Sequence, residues 1–332
     1  MYAFLGNIIN LFYSWTGNFG IAVILFTLLV KGLLLPLDIK SKNSTAKMQA
    51  LQPKIEKINE KYKNDPDKKN RKIQELYMEN NISPLGGCLP ILITFPIIII
   101  VFVALRKYAT QETYDFLSGL LQQQNPDMGM ILTKIQGSSF SSTFENFLPT
   151  LFANPTAYEN PANLLASLKE LPQVIGEDAY QQLIQAIKGI SESNILEEAA
   201  RQGYRFLWVK NIMVADSGLK TLIGTGIPMN SVFKNSNGYF VLPILSTALQ
   251  YVQTWLTMRK QPKSAKTGGM AMMNKLMPLI SLYFCTVYSA TFALYWTIST
   301  LISVVQMLVM DWLNEKKKNQ QQEEPTAGMF KA

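Results

Sequence analysis

Lys31 is the residue of this chain whose chemistry most needs an explanation. It lies in Phe19–Leu37, FGIAVILFTLLVKGLLLPL, nineteen residues with no other charge. That length of helix crosses a hydrocarbon core ~30 Å thick. An ammonium inside it costs about 2.5–3.5 kcal/mol on insertion scales. Two readings account for it. In one, Lys31 faces a polar, watered cavity within the membrane and acts on a group that enters. In the other it snorkels: Leu37 is six residues on, about 9 Å at 1.5 Å per residue, and the four-carbon stem recovers most of that depth. Other polar residues in apolar runs offer company. Thr27 precedes Lys31 by one turn, and Thr247, Gln250, Gln253 and Thr254 share a helical face in Gly238–Met258. For Thr247 and Gln250, hydrogen bonding to a neighbouring helix explains the stripe as well as a wet cavity does.

The elements that must carry these residues are apolar spans. The chain is 48% hydrophobic and 16% charged, with runs at Phe19–Leu37, Leu85–Leu105, Gly238–Met258 and Leu276–Met310. The last has thirty-five residues, the length of two spans joined by a tight turn. Five transmembrane helices follow, in an all-α integral membrane protein. Both cysteines, Cys88 and Cys285, sit within these runs, so a disulfide framework is not expected. With no histidine in the chain, a Cys/His metal site is excluded, and no cofactor is expected.

Charge placement sets the orientation. Segments 38–83, 259–275 and 311–332 hold eleven, five and four Lys or Arg, whereas 106–237 has ten against twelve acidic residues and 1–18 has none. The positive-inside rule therefore gives an outside N-terminus and a cytoplasmic C-terminus. The partition predicted is an interfacial amphipathic helix over 1–18 and spans over 19–37, 84–105, 238–258, 276–288 and 292–313. Between them lie a cytoplasmic helical hairpin (38–83), an extracytoplasmic loop with a helical insertion (106–237), a basic cytoplasmic loop (259–275), an outer turn (289–291) and a cytoplasmic tail (314–332).

Within 1–18, Phe4, Leu5, Ile8, Ile9, Leu11, Phe12 and Trp15 gather on one helical side, with Tyr13 and Trp15 suited to headgroup depth. A cleaved signal peptide is the competing reading, without a basic leading region or a clean small-x-small site. In the hairpin, Met48, Leu51, Ile55, Ile58 and Tyr62 recur at helical spacing. Asn64-Asp65-Pro66-Asp67 breaks the pattern, and Ile73, Leu76 and Tyr77 resume it. The stripe either recruits substrate or pairs the two helices for their own stability. Segment 108–204 carries helical stretches near Asn163–Leu171 and Asp178–Ile190 but no catalytic triad, metal cluster or phosphate-loop spacing. It reads as a helical cap that could dock a partner.

Several motifs, in order along the chain, carry a family resemblance. They are Lys47-Met48-Gln49-Ala50-Leu51-Gln52-Pro53, Ser83-Pro84-Leu85-Gly86-Gly87-Cys88-Leu89-Pro90, Pro96, Phe206-Leu207-Trp208, Leu242-Pro243-Ile244-Leu245 and Leu294-Tyr295-Trp296. Outside Tyr108–Tyr204 the chain resembles the YidC/Oxa/Alb membrane protein insertases, of the bacterial kind with an enlarged extracytoplasmic loop. The resemblance implies five helices around a hydrophilic groove open to cytoplasm and lipid. It matches Lys31 to the groove arginine, Gln253 to a groove glutamine and Trp296 to an aromatic position. Thr94 falls at a further groove position, Thr27 and Gln250 join as groove candidates by their spacing alone, and Met48, Leu51, Ile55 and Ile58 form the candidate recruiting hairpin. Three departures stand out: lysine at 31, Thr94 where many members have glutamine, and Tyr288-Ser289-Ala290-Thr291 in place of a Phe-Pro-x-Gly turn.

The implied function is non-enzymatic insertion and folding of proteins in the bacterial cytoplasmic membrane. Nascent membrane proteins would be the partners, with the ribosome, the Sec translocon and membrane lipids as further contacts. The basic loop and Lys316-Lys317-Lys318 suit anionic lipid or ribosomal RNA. The alternative is a polytopic transporter or channel with Lys31 as its charged substrate site; a receptor with a ligand-binding outer cap is the third class.

Overall fold

The computed structural model describes residues 2–80, 89–141, 144, 170–190, 192–213, 216, 237–259 and 269–327. The Ser83–Cys88 part of the glycine-proline motif, residues 163–169 of the cap and loop residues 260–268 lie outside the described residues. So do the side chains of Met48 and Thr94, whose backbones are helical. Among the described residues regular structure is helical throughout, apart from an isolated antiparallel bridge between Phe206 and Val209. The helices are α1 (Tyr2–Thr16), α2 (Phe19–Lys61), α3 (Pro66–Glu79), α4 (Leu89–Gln124), α5 (Met128–Gln136) and α6 (Leu171–Ile175). They continue with α7 (Glu177–Gly189), α8 (Glu192–Arg201), α9 (Val241–Arg259), α10 (Gly269–Val287) and α11 (Ala290–Ala327).

Among the described residues two stretches are long and apolar enough to cross a membrane, Phe19–Lys40 in α2 and Ala290–Lys316 in α11, with Lys275–Val287 of α10 a shorter apolar helix. The long helices outrun the apolar runs that begin them. α2 continues past Leu37 to Lys61, with Pro36 and Pro53 inside it. Each proline deprives the carbonyl four residues earlier, at Gly32 and Gln49, of its helical donor. The Ala, Met, Gln, Leu, Lys and Glu of residues 46–61 are strong helix formers and carry the helix across. α4 likewise extends past Leu105 to Gln124, and α11 past Asp311 to Ala327.

The chain divides into two compact units. The first comprises Met1–Leu29, Ile93–Ile244 and Leu282–Trp296, the second Val30–Leu92, Leu245–Ser281 and Thr297–Ala332. In the first, the start of α2 is pinned to residues 203–206. Asn18 caps it by accepting from the Ile21 N–H at 3.2 Å, and its side-chain amide donates to the Arg205 carbonyl at 3.0 Å. The Phe19 N–H reaches the Gly203 carbonyl at 2.9 Å. Two glycines make this approach: a Cβ on Gly20 would lie 2.2 Å from the Phe206 ring, and one on Gly203 2.1 Å from the Gly17 carbonyl. Gly203 also has φ +67°, a conformation open to glycine at low cost. Phe19 stacks on Tyr108 at 5.3 Å and meets Tyr204 edge-on at 6.1 Å. The Tyr204 hydroxyl donates to Glu112 at 2.7 Å, and burial pushes that hydroxyl's pKa up, keeping it a donor.

Beyond this knot, α5, α6 and α7 bury Ile131, Leu132 and Ile135, Leu171 and Ile175, and Leu183, Ile184 and Ile187. They pack on one another as a small helical cap. In the second unit the end of α2 and α3 form a hairpin with Leu51, Ile55 and Leu76 buried and Ile58, Ile73 and Tyr77 packed around them. Asp65 starts α3 by accepting from the Lys68 N–H at 3.0 Å, with Pro66 in the first turn, where its missing donor costs nothing.

Candidate functional site

Eleven residues is close to three turns of α-helix, so Lys31 and Lys42 lie on one face of α2. On α11, Ser299, Ser303 and Gln306 share a face at spacings of four and three. Within the second unit these faces meet. The Lys31 ammonium donates to Ser303 Oγ at 3.0 Å, and that hydroxyl donates in turn to the Ser299 carbonyl at 3.0 Å. Lys42 Nζ donates to the Ser303 carbonyl at 3.4 Å and to Gln306 Oε1 at 3.3 Å. Two cations thus share one serine, one at its hydroxyl and one at its carbonyl.

Their Cα atoms are separated by about 16 Å of helical rise, so the two stems must converge along the axis. Lys42 leans towards the N-terminus of α2, the direction its Cα–Cβ bond already takes. Its head therefore lies deeper than its place in the sequence implies. Asp38, on the same stripe, and Asp311 act on Lys42 electrostatically. Among the described residues neither lysine has an ion pair, and Asp311 is engaged by Arg259 at 3.3 Å.

Aromatic residues mark the depth. Trp255 and Trp312 are 61% and 60% exposed. Each lies under a cation one turn on, Arg259 at 5.1 Å and Lys316 at 5.5 Å. An exposed Trp beside a basic residue is the composition of a membrane–water interface. Counted along α11, Gln306 lies about 9 Å and Ser303 about 14 Å inward of Trp312. Lys31 therefore reaches a protein hydroxyl well inside that level.

The other expected site residues divide between the units. Gln250 and Gln253 are half-buried on α9 in the second unit. The Gln253 carbonyl accepts from Thr257 Oγ1 at 2.9 Å, and Thr257 touches Met307 of α11, with Oγ1 3.9 Å from the sulfur. Thr27 belongs to the first unit, is fully buried and donates to the Val23 carbonyl at 2.7 Å, so its own helix satisfies it. Trp296, also in the first unit, packs on Phe292 at 5.5 Å, and its buried indole N–H has no partner among the described residues. Leu51 and Ile55 are buried in the hairpin, where Ile58 packs on them. The sequence reading missed Lys42, Ser303 and Gln306. The eleven-residue spacing and the 299/303/306 stripe were the available signals, but Lys42 was counted only as a cytoplasmic topology charge.

The family model described as 60Kd inner membrane protein matches residues 11–168 and 178–319. The chain belongs to this family. Among curated relatives, the Membrane protein insertase YidC of Fusobacterium nucleatum is 41% identical over 135 residues, covering 41% of this chain and 65% of the relative. The protein of that name from Caldanaerobacter subterraneus is 39% identical over 114 residues, 34% of this chain and 55% of the relative. The one from Geotalea daltonii is 44% identical over 97 residues, 29% of this chain and 18% of the relative. The matched stretches thus span less than two thirds of each of these relatives. Membership, with apolar helices long enough to cross a bilayer, places the chain in the bacterial cytoplasmic membrane. This family member builds its α10–α11 turn without the usual proline and glycine. Thr291 donates to the Ile212 carbonyl from both its N–H, at 2.7 Å, and its hydroxyl, at 2.8 Å. Tyr288 fills the turn by stacking on Phe284 at 5.6 Å and meeting Phe102 edge-on at 4.6 Å.

Proposed function

We propose that this family member is a membrane protein insertase with five spans, an outside N-terminus and a cytoplasmic C-terminus. A hydrophilic groove centred on Lys31, with Gln253 and Gln250 of the same compact unit, takes the polar tail of a small membrane protein part-way across. The hydrophobic segment then leaves sideways into lipid. Groove residues lower the barrier by hydrating the tail inside the bilayer, where an unpaired charge costs most. No covalent bond changes, so the protein is not an enzyme.

The observation that carries this reading is Lys31 itself, a cation in an apolar stretch that donates to the neutral Ser303 hydroxyl and has no ion pair among the described residues. Nascent membrane proteins are its clients. The hairpin recruits them by opening the apolar stripe of Met48, Leu51, Ile55 and Ile58, and the ribosome, the Sec translocon and membrane lipids are the further partners. Expression in a cell depleted of its own insertase tests the proposal. Restored insertion of single-span proteins is expected. Failure to restore it, together with substrate accumulation in proteoliposomes, would instead favour a transporter using Lys31 as its substrate site.

A further inference from the structure

We infer that Lys31 and Lys42 form a two-cation receptor for an acidic peptide tail, in which Lys42 discriminates tails with two carboxylates from tails with one. This rests on the insertase reading and adds to it a second cation, Lys42, and the selection between tails that it makes.

An ammonium has three donors. Lys31 directs one of its donors at Ser303, and Lys42 directs two at Ser303 and Gln306. Among the described residues, two donors on Lys31 and one on Lys42 have no protein acceptor. The hydrogen-bond acceptors described for them are neutral. Asp38 acts on both lysines and Asp311 on Lys42 through space, but among the described residues neither makes an ion pair with them, and Asp311 pairs with Arg259. Two like charges meeting at one serine raise each other's cost, most of all away from bulk water. A single entering carboxylate relieves one of them; a second relieves the other.

Anchoring α2 to α11 would not by itself require charge, since a glutamine at 42 could also donate to the Ser303 carbonyl. A lipid phosphate is the other anion a membrane offers. The two ammonium groups, however, meet Ser303 and Gln306, about 14 Å and 9 Å inward of the interfacial Trp312 along the helix. A phosphate headgroup does not descend that far, whereas a peptide tail in transit must pass there.

The test uses the full chain reconstituted into vesicles of zwitterionic lipid alone, and into vesicles with phosphatidylglycerol added. Single-span substrates carry translocated tails with zero, one or two aspartates, and insertion is read as protease protection. For Lys42→Gln, the ratio of two-acid to neutral tail insertion falls about tenfold, the value of one charge-assisted hydrogen bond, and Lys42→Arg restores it. The one-acid ratio changes much less in Lys42→Gln and falls in Lys31→Gln. Equal loss on all three tails would make Lys42 a structural anchor and overturn the inference. An unchanged ratio would do the same, as would a selective loss confined to vesicles with anionic lipid. If the unmutated protein inserted no tail at all, the insertase reading would fall and take this inference with it.

Discussion

In the first compact unit, carboxylates have partners fixed by the fold. Glu198 holds Arg201 at 2.7 Å, Glu112 accepts from the Tyr204 hydroxyl at 2.7 Å, and Asp216 accepts from the Phe240 N–H at 2.8 Å. In the second unit, the hydrogen bonds of Lys31 and Lys42 among the described residues go to neutral oxygens, with Asp38 acting on both only through space. The contrast separates two uses of charge. A charge answered inside the fold fixes geometry, as Glu112 does by accepting from the Tyr204 hydroxyl in the knot that holds the start of α2. A charge left with neutral acceptors keeps its attraction for an anion from outside. On this account the first unit is scaffold and the second is receptive.

Deleting Asn43–Asn80 is the severest challenge to that division, because it removes the hairpin and Lys47 onwards while retaining Lys42. Insertion should be abolished although the protein still integrates into membranes, as measured by carbonate extraction and an insertion assay. Normal insertion would mean that the hairpin's buried stripe serves only its own packing.

The cap comes next. Replacing 125–190 with a Gly/Ser linker should preserve insertion of a simple single-span substrate at some loss of thermal stability. Replacing the whole of Tyr108–Tyr204 should inactivate the protein, because Tyr108, Glu112 and Tyr204 are part of the knot that holds the start of α2. Equal activity in the two replacements would show that the knot is not needed to position α2.

Gly20→Ala sharpens the comparison from within the scaffold. A methyl group 2.2 Å from the Phe206 ring forces repacking, costing about 1–3 kcal/mol. Thermal unfolding in detergent should register it, while the preference between acidic and neutral tails stays as it was. A changed preference would contradict the assignment of the first unit to scaffolding.

Asp216→Asn should be nearly silent. Burial raises the Asp216 pKa despite the backbone donors that favour its charge. The fold therefore disfavours the ionised form, and this residue's contribution to stability declines as pH rises from the ordinary carboxylate range to the raised folded value. Asparagine keeps an oxygen for the Phe240 N–H without the charge, so stability at neutral pH should change by less than about 1 kcal/mol. Unfolding curves of both proteins at mildly acidic and neutral pH would check the sign, and a stabilising effect that grows with acidity would refute it.

The helical class was legible because apolar runs and 3.6-residue stripes are local signals. Leu51, Ile55 and Leu76 declared themselves by spacing, and Asp65-Pro66 by capping chemistry. Lys31 was legible as an isolated cost. Its partners were not. Ser303 and Gln306 lie some 270 residues away, and a serine in an apolar helix is ordinarily satisfied by its own backbone, as Ser303 partly is through Ser299. The continuity of α2 was missed because the fall in hydropathy after Leu37 marks a change of surroundings, to which backbone geometry is indifferent. The pinning of α2 by Gly20 and Gly203 depends on contacts across more than 180 residues, which no local pattern encodes.

The central claim is that the charge at position 31 acts on incoming acidic groups. Insertion of acidic and neutral tails by Lys31→Gln, Lys31→Leu and Lys31→Arg measures it directly. Arginine should stay active and, because a guanidinium keeps its proton at high pH, should lose less acidic-tail insertion under alkaline conditions than lysine does. Glutamine and leucine should each lower acidic-tail insertion about tenfold or more relative to neutral tails. Normal handling of acidic tails by Lys31→Leu would contradict the account and leave Lys31 a snorkelling residue.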